Sequence, residues 1–334
     1  MKKIIFIFIF MFITITFFGQ SGTVLEDLLN PLSMEIDDKQ IYFTEGANIY
    51  IYNLSDLKLI KVFGKAGAGP QEFLVQPQVP LQVNVATDRI VVNSQGKVSF
   101  WKKDGTYISE KKVQIGIFSG FFKPLSDGYV GLRLIVEDSI MYFGVDYYDK
   151  DFKRERLLLK QKHFFQQGKK MNPIGRIPIF STLKGKVYVE DKDGIMHIFN
   201  KTGKEFPPIA HKFKPFKIIQ DHKERILDFY KNDPGIKQFW SFFKDNIEFP
   251  SHFTNIQTSI VSDDKVYMQT YRRDGDKAEF IIYGIDGQFV ATKMIPFRDQ
   301  NIVRPYPYSI SKNKLYQVVE NEDDEWEMVI TDIK

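Results

Sequence analysis

One short pattern returns six times along this chain, and its spacing restricts the fold more than any other property: an apolar strand-like run ends in a marker residue, usually aromatic, and a polar turn follows. It reads Ile49-Tyr50-Ile51-Tyr52, then Val98-Ser99-Phe100-Trp101, then Gly144-Val145-Asp146-Tyr147-Tyr148. It continues as Met196-His197-Ile198-Phe199, Phe280-Ile281-Ile282-Tyr283 and Met328-Val329-Ile330-Thr331. The markers Tyr52, Trp101, Tyr148, Phe199, Tyr283 and Thr331 lie 49, 47, 51, 84 and 48 residues apart. A period of about 48 residues, with one gap longer by about 36, makes this an array of like units rather than a mosaic of different domains.

Each marker run follows a second β-rich run, as in Gln40-Ile41-Tyr42-Phe43, Arg89-Ile90-Val91-Val92, Gly128-Tyr129-Val130-Gly131 and Lys186-Val187-Tyr188-Val189. The last two such runs are Lys265-Val266-Tyr267-Met268 and Lys314-Leu315-Tyr316-Gln317. Asp-Gly pairs recur at Asp104-Gly105, Asp127-Gly128, Asp193-Gly194, Asp274-Gly275 and Asp286-Gly287, where glycine supplies the positive φ of tight hairpins. Hairpin-linked strands at this period build propeller blades. The expected fold is all-β, a six-bladed β-propeller occupying residues 20–334. The last unit lacks an outer strand after 326–333, and Thr23-Val24-Leu25-Glu26-Asp27-Leu28 is unassigned. That segment is predicted to supply the missing strand and close the ring, removing two exposed sheet edges.

The long gap has its own explanation. Residues 221–230 place Ile226, Leu227, Phe229 and Tyr230 at helical spacing, Asn232-Asp233-Pro234-Gly235 breaks the run, and 236–247 carries Phe239, Trp240, Phe242 and Phe243. A helical hairpin inserted at 218–250, between blades four and five, is predicted.

Between the first two units lies Phe63-Gly64-Lys65-Ala66-Gly67-Ala68-Gly69-Pro70-Gln71-Glu72-Phe73, with Pro77 beyond it. An aromatic-Gly followed by Gly-x-Gly-Pro-x-Glu-Phe resembles the inter-blade loop of NHL-like and related TolB-like six-bladed propellers, many of them exported bacterial proteins. The resemblance spans the chain through its period, but only this loop is a specific motif, so no functional residue carries over. The loop lacks the Gly-Lys-Ser/Thr ending and following helix of a phosphate site and reads as a tight connection.

Lys2, Lys3 and the apolar run 4–18, shorter than a membrane span, read as a secretory leader over residues 1–19, cut between Gly19 and Gln20. The expected location is periplasmic or extracellular, with no membrane insertion after cleavage. The formal charge of +4 falls to +2 without those two lysines, which gives no electrostatic case for nucleic acid. No cysteine is present, which excludes disulfides, thiol nucleophiles and cysteine metal sites. The histidines His163, His197, His211, His222 and His252 show no ligand spacing, and no Gly-x-Ser-x-Gly elbow occurs. Asp191-Lys192-Asp193-Gly194 begins like a calcium loop but lacks the later ligands and reads as a hairpin turn.

In a propeller the connections that lead into each inner strand open on one face. Here they carry Gln71, Glu72, Ile117-Phe118-Ser119, Arg176, the insert with Trp240 and His252, and Arg298, Arg304 and Tyr306. Arg176, Arg298 and Arg304 converging on that face would suit an acidic ligand. Trp240 is expected either to pack on a blade or to offer a stacking surface as part of a lid. The reading that follows is a monomeric, non-catalytic binding module that takes a protein, peptide or glycan on that face, with no cofactor. The alternative is a lactonase-like or lyase-like enzyme with a divalent metal such as calcium in the central channel. Carboxylates on the inner strands would form a site visible only in three dimensions.

Overall fold

The computed structural model describes residues 22–75, 81–113 and 120–333. The leader, its cleavage point, Pro77 and residues 117–119 lie outside the described residues. Six four-stranded antiparallel sheets are arranged as blades, and the chain is a six-bladed β-propeller. The inner strands are Ser33–Ile36, Gln82–Val85, Gly120–Leu125, Ile179–Leu183, Thr258–Ser262 and Tyr308–Ser311, each the first strand of its blade. In the sixth blade the outer strand is Thr23–Val24, paired with Trp326–Asp332 through Thr23↔Met328 and Val24↔Glu327. The predicted closure of first blade to last is therefore present.

The repeat is legible in the register. The markers face equivalent positions on the second strands: Ile41↔Tyr52, Ile90↔Trp101, Tyr129↔Tyr148, Val187↔Phe199, Val266↔Tyr283 and Leu315↔Thr331. A bulge in the pairing to the outer strand falls beside Tyr52, Trp101, Tyr148 and Tyr283, where it sharpens the twist that a blade requires. Apolar side chains on both faces of each sheet then interlock with the next blade. Ile49, Ile51 and Phe63 of blade one meet Val83, Ile90 and Trp101 of blade two, and five comparable clusters complete the circle. The closing cluster packs Leu25, Met34, Ile41 and Phe43 against Tyr316, Val318 and Trp326.

A second ring, of polar side chains, lies within this apolar one. The residue opposite the first residue of the inner strand is Thr44, Asn93, Glu190, Gln269 and Gln317 in five of the blades, and all five are buried. Four of them hydrogen-bond near the start of an inner strand, and Gln317 does so at Arg298, just after the outer strand of blade five. Thr44 meets Ser33 Oγ at 2.6 Å, and Asn93 Nδ2 and Oδ1 take Phe122 O and N of the next blade at 3.1 Å. Gln317 holds Arg298 N and O at 2.9 and 2.8 Å, Gln269 Nε2 reaches Gln257 Oε1 at 3.3 Å, and Glu190 binds Arg176. Buried polar groups seek partners, and here most of the partners lie in the segments between blades, although Gln269 Oε1 and Glu190 Oε2 are left without one.

The insert occupies the predicted place between the fourth and fifth blades. Its first helix, α1 (Gln220–Asn232), matches the sequence reading. The second run is not one continuous helix: a 3₁₀ turn (Lys237–Phe239), a single α-turn α2 (Trp240–Phe243) and another 3₁₀ turn (Lys244–Asn246) follow each other. Bulky aromatics rank below straight-chain residues as helix formers, and no side chain caps the start of these short pieces. Packing of Phe243, which is buried, places them instead. Among the described residues no helix is long and apolar enough to cross a membrane.

Candidate functional site

All six inner strands are first in their blades, so they run in the same sense and their lead-in loops share one end of the ring. The eight candidates from the sequence are on those connections. The structure gives most of them local partners. Glu72 folds back into its own loop: Oε2 accepts from Gly69 N at 2.8 Å, and Oε1 pairs with Lys65 Nζ at 2.9 Å. A Cβ on Gly67, at φ +151°, would stand 2.1 Å from that Oε2, which explains the glycine. Phe73, fully buried against Phe63 and Trp101, anchors the loop, so the Gly-rich stretch is a connection between blades one and two. Gln71 is exposed at φ 62°, with its backbone N–H donating to Glu110 Oε2 at 3.1 Å.

The three arginines do not gather around one open site. Arg176 Nη1 binds Glu190 Oε1 at 2.5 Å and also donates to the carbonyl of Ile256. Arg298 Nη1 meets Glu327 Oε1 at 3.2 Å. Arg304 Nη1 lies 3.7 Å from Asp233 Oδ2 and its Cζ 5.7 Å from the Phe229 ring centre, fastening the insert to the loop that leads into blade six. The carboxylate partners are scattered over the second strand of blade four, the third strand of blade six and the insert, so they are brought in by tertiary register rather than by sequence neighbours. His252 is exposed beside Ser251 Oγ at 2.9 Å, and Tyr306 packs edge-on to Trp326 with centroids 5.8 Å apart.

The insert rests on the lead-in face. Ile226 is fully buried with Ile174, Ile218 and Phe253, flanked by Tyr230, Tyr271, Ile302 and Val303. Tyr230 Oη donates to Pro173 O at 2.6 Å, and Met171 N to Asn246 O at 2.7 Å. The insert thus bridges the loops leading into blades four and six. Trp240 is half-buried, edge-on to Phe243 at 5.6 Å. Ile226→Ala is expected to cost about 2–5 kcal/mol, but Trp240→Ala only about 1–2 kcal/mol in urea unfolding. Equal losses would show Trp240 to be core.

The turn at 191–194 is a hairpin: Asp191 Oδ1 accepts from Asp193 N and Ile195 N at 2.9 Å each. Among the described residues no group of three or more His, Cys, Asp or Glu is placed to share a metal ion.

None of the eight candidates lines the central channel. The channel instead holds two cavities in series. The one nearer the lead-in face has a volume of about 330 Å³, with walls from Val83, Phe121, Leu132, Ile177, Pro178 and Phe180. The one beyond it, about 240 Å³, is lined largely by inner-strand residues, including Ser181, Thr182, Ser259, Ser262 and Ser309. Four residues line both and so form a waist: Glu35, Asn84, Lys123 and Ile179. Asn84 Nδ2 donates to Phe122 O at 3.1 Å. Glu35 Oε1 and Lys123 Nζ stand 4.0 Å apart, beyond hydrogen-bond distance. Enclosure pushes the Glu35 carboxyl above its ordinary range, against the pull of Lys123. The sequence signal for Glu35 was slight: one charge between Met34 and Ile36 in an inner strand.

A further cavity of about 230 Å³ lies between blade five and the segment that leaves blade four, with Lys212, Lys214, Arg272, Phe213 and Phe216 in its lining. Arg272 is engaged there, donating to Lys214 O and Pro215 O at 2.9 and 3.3 Å.

No protein-family model and no curated relative matches this chain. Solved structures match along its length. A member of the DUF4221 family from Bacteroides vulgatus aligns at 11% identity over 93% of this chain and 95% of its own, with a TM-score of 0.52. That likeness is one of fold. BamB from Moraxella catarrhalis aligns at 12% identity over 91% and 73% of the two chains, TM-score 0.34. BBS1N, solved in complex with ARL6DN, aligns at 11% identity over 92% and 79%, TM-score 0.37.

Proposed function

We propose that this protein is a non-catalytic binding module that takes its ligand at the lead-in face, in the funnel formed by the upper cavity. The observation that carries this reading is the lining: an apolar wall of Val83, Phe121, Leu132, Ile177, Pro178 and Phe180 above one carboxylate and one ammonium. Concave, mostly apolar sites with a few oriented polar groups are the common form of ligand pockets. A single carboxylate beside an ammonium suits a polar organic ligand better than a hard divalent cation, which takes several oxygen donors. Of the protein, peptide and glycan classes, the apolar wall favours a ligand that inserts an apolar side chain. The leader read at residues 1–19 supports a site of action outside the cytoplasm, in the periplasm or beyond.

The test is binding to peptide and glycan panels by the purified chain and by Ile177→Asp. Ile177 is 42% exposed at the funnel wall, so a carboxylate there leaves folding intact while charging the site. Any funnel ligand is expected to bind Ile177→Asp at least tenfold more weakly. Ligands that bind both proteins equally would move the site elsewhere.

A further inference from the structure

The Glu35–Lys123 pair stands where the two channel cavities meet. Among the described residues the Glu35 carboxylate has no hydrogen bond, and its charged neighbour is Lys123 at 4.0 Å. The Lys123 ammonium likewise makes no hydrogen bond there. Both are partly withdrawn from water, with side-chain exposures of 35% and 31%. Charges taken out of water are costly unless hydrogen bonds replace hydration, and several ion pairs of this chain make at least one such bond. Arg133 Nε donates to Asp146 at 2.7 Å, Arg176 to Glu190 at 2.5 Å, and Arg273 Nε to Asp299 at 2.7 Å. At the waist the two opposite charges stand 4.0 Å apart, with donors and acceptors to spare.

We infer that the waist and the funnel above it form a pocket for a free α-amino acid with an apolar side chain. This rests on the binding-module reading and names the ligand of that site. A ligand that satisfies both charges must bring hydrogen-bond donors to Glu35 and acceptors to Lys123, on atoms close together. An α-amino acid carries an ammonium and a carboxylate on one carbon, and its charge-assisted bonds would close both gaps. Its side chain would then lie against Val83, Phe121, Leu132 and Phe180 in the 330 Å³ cavity, on the apolar side of the waist. A peptide end brings one of the two charges, and a neutral glycan brings neither, so each leaves at least one of the two groups without a charged partner from the ligand. Glu35 and Lys123 come from blades one and three, so the pair is built only by the closed ring.

The experiment is calorimetric titration of the full-length protein with leucine, isoleucine and phenylalanine, and with three analogues of leucine's parts. Leucinamide lacks the carboxylate, N-acetyl-leucine lacks the free ammonium, and glycine lacks the side chain. Leucine is expected to bind at least tenfold more tightly than all three, because a site built for a polar group rejects the ligand that leaves it unpaired. Glu35→Gln is expected to weaken leucine at least tenfold while leaving N-acetyl-leucine unchanged, and Lys123→Gln to weaken leucine while leaving leucinamide unchanged. If a variant fails to fold, the analogue series on the unaltered protein decides. Leucine binding no better than its blocked analogues overturns the inference. Panel peptides or glycans that bind in an Ile177-dependent way while no amino acid binds would overturn it and leave the wider reading standing. Failure of every ligand overturns both.

Discussion

Replacing Glu190 by alanine is expected to remove about 3–5 kcal/mol of stability, because it leaves the Arg176 guanidinium enclosed without its counter-charge. Glu190 is 2% exposed, and its partner reaches it from the loop that leads into the same blade. What remains to Arg176 is the Ile256 carbonyl, which offers a dipole in place of a charge. Urea unfolding followed by tryptophan fluorescence and far-UV circular dichroism would measure the loss. The double variant Arg176→Met/Glu190→Leu should recover most of it, since an apolar pair of similar volume often replaces a buried ion pair at little cost. A loss below about 1 kcal/mol in the single variant would place the pair among solvated surface bridges.

The second large effect concerns the closing strand. Deleting residues 22–29 removes the Thr23–Val24 pairing, the Leu25 N to Trp326 O bond of 2.8 Å, and the Trp326 Nε1 to Leu29 O bond of 2.7 Å. It also removes Leu25 and Leu28, which are 2% and 3% exposed. Truncating one such leucine costs about 2–5 kcal/mol, so losing both approaches the whole of a marginal stability of about 5–15 kcal/mol. The third strand of blade six would then present an unpaired edge. The expected outcome is a chain that elutes as aggregate in size-exclusion chromatography and lacks a cooperative melt. A monomer melting within a few degrees of the intact protein would show that the other three strands of blade six hold the ring unaided.

The architecture was legible in the sequence because its determinants are local. Alternating apolar residues, Asp-Gly turns and six spaced markers fix strands and period without reference to distant partners. Residues 221–230 were legible as helix for the same reason, whereas 236–247 breaks into short turns that are placed by the buried Phe243, with Phe239 and Phe242 left exposed. The site was less legible. Arg176, Arg298 and Arg304 could be assigned to one face from topology, but Glu190, Glu327 and Asp233, which occupy them, meet them only through the fold. Glu35 and Lys123 are 88 residues apart in the chain, by subtraction of their numbers, and no pattern links them.

The ring of buried polar side chains on the second strands has a consequence for how such a chain can change. Thr44, Asn93, Glu190 and Gln269 clamp four of the connections within a few residues of the point where each becomes an inner strand, and Gln317 grips a fifth at Arg298, just after the strand that ends at Pro296. What lies upstream of the clamp is then mechanically uncoupled from the blade below it. The same anchoring beside the inner strand serves the shorter connection from Lys162 to Ile179 and the long one from Ile209 to Thr258 that carries the helices. The molecule is in effect a chassis with exchangeable fittings: a segment spliced in above a clamp can alter what the face recognises without renegotiating the core. For protein engineering, that makes the residues just before each clamp the natural sites for grafting new recognition loops.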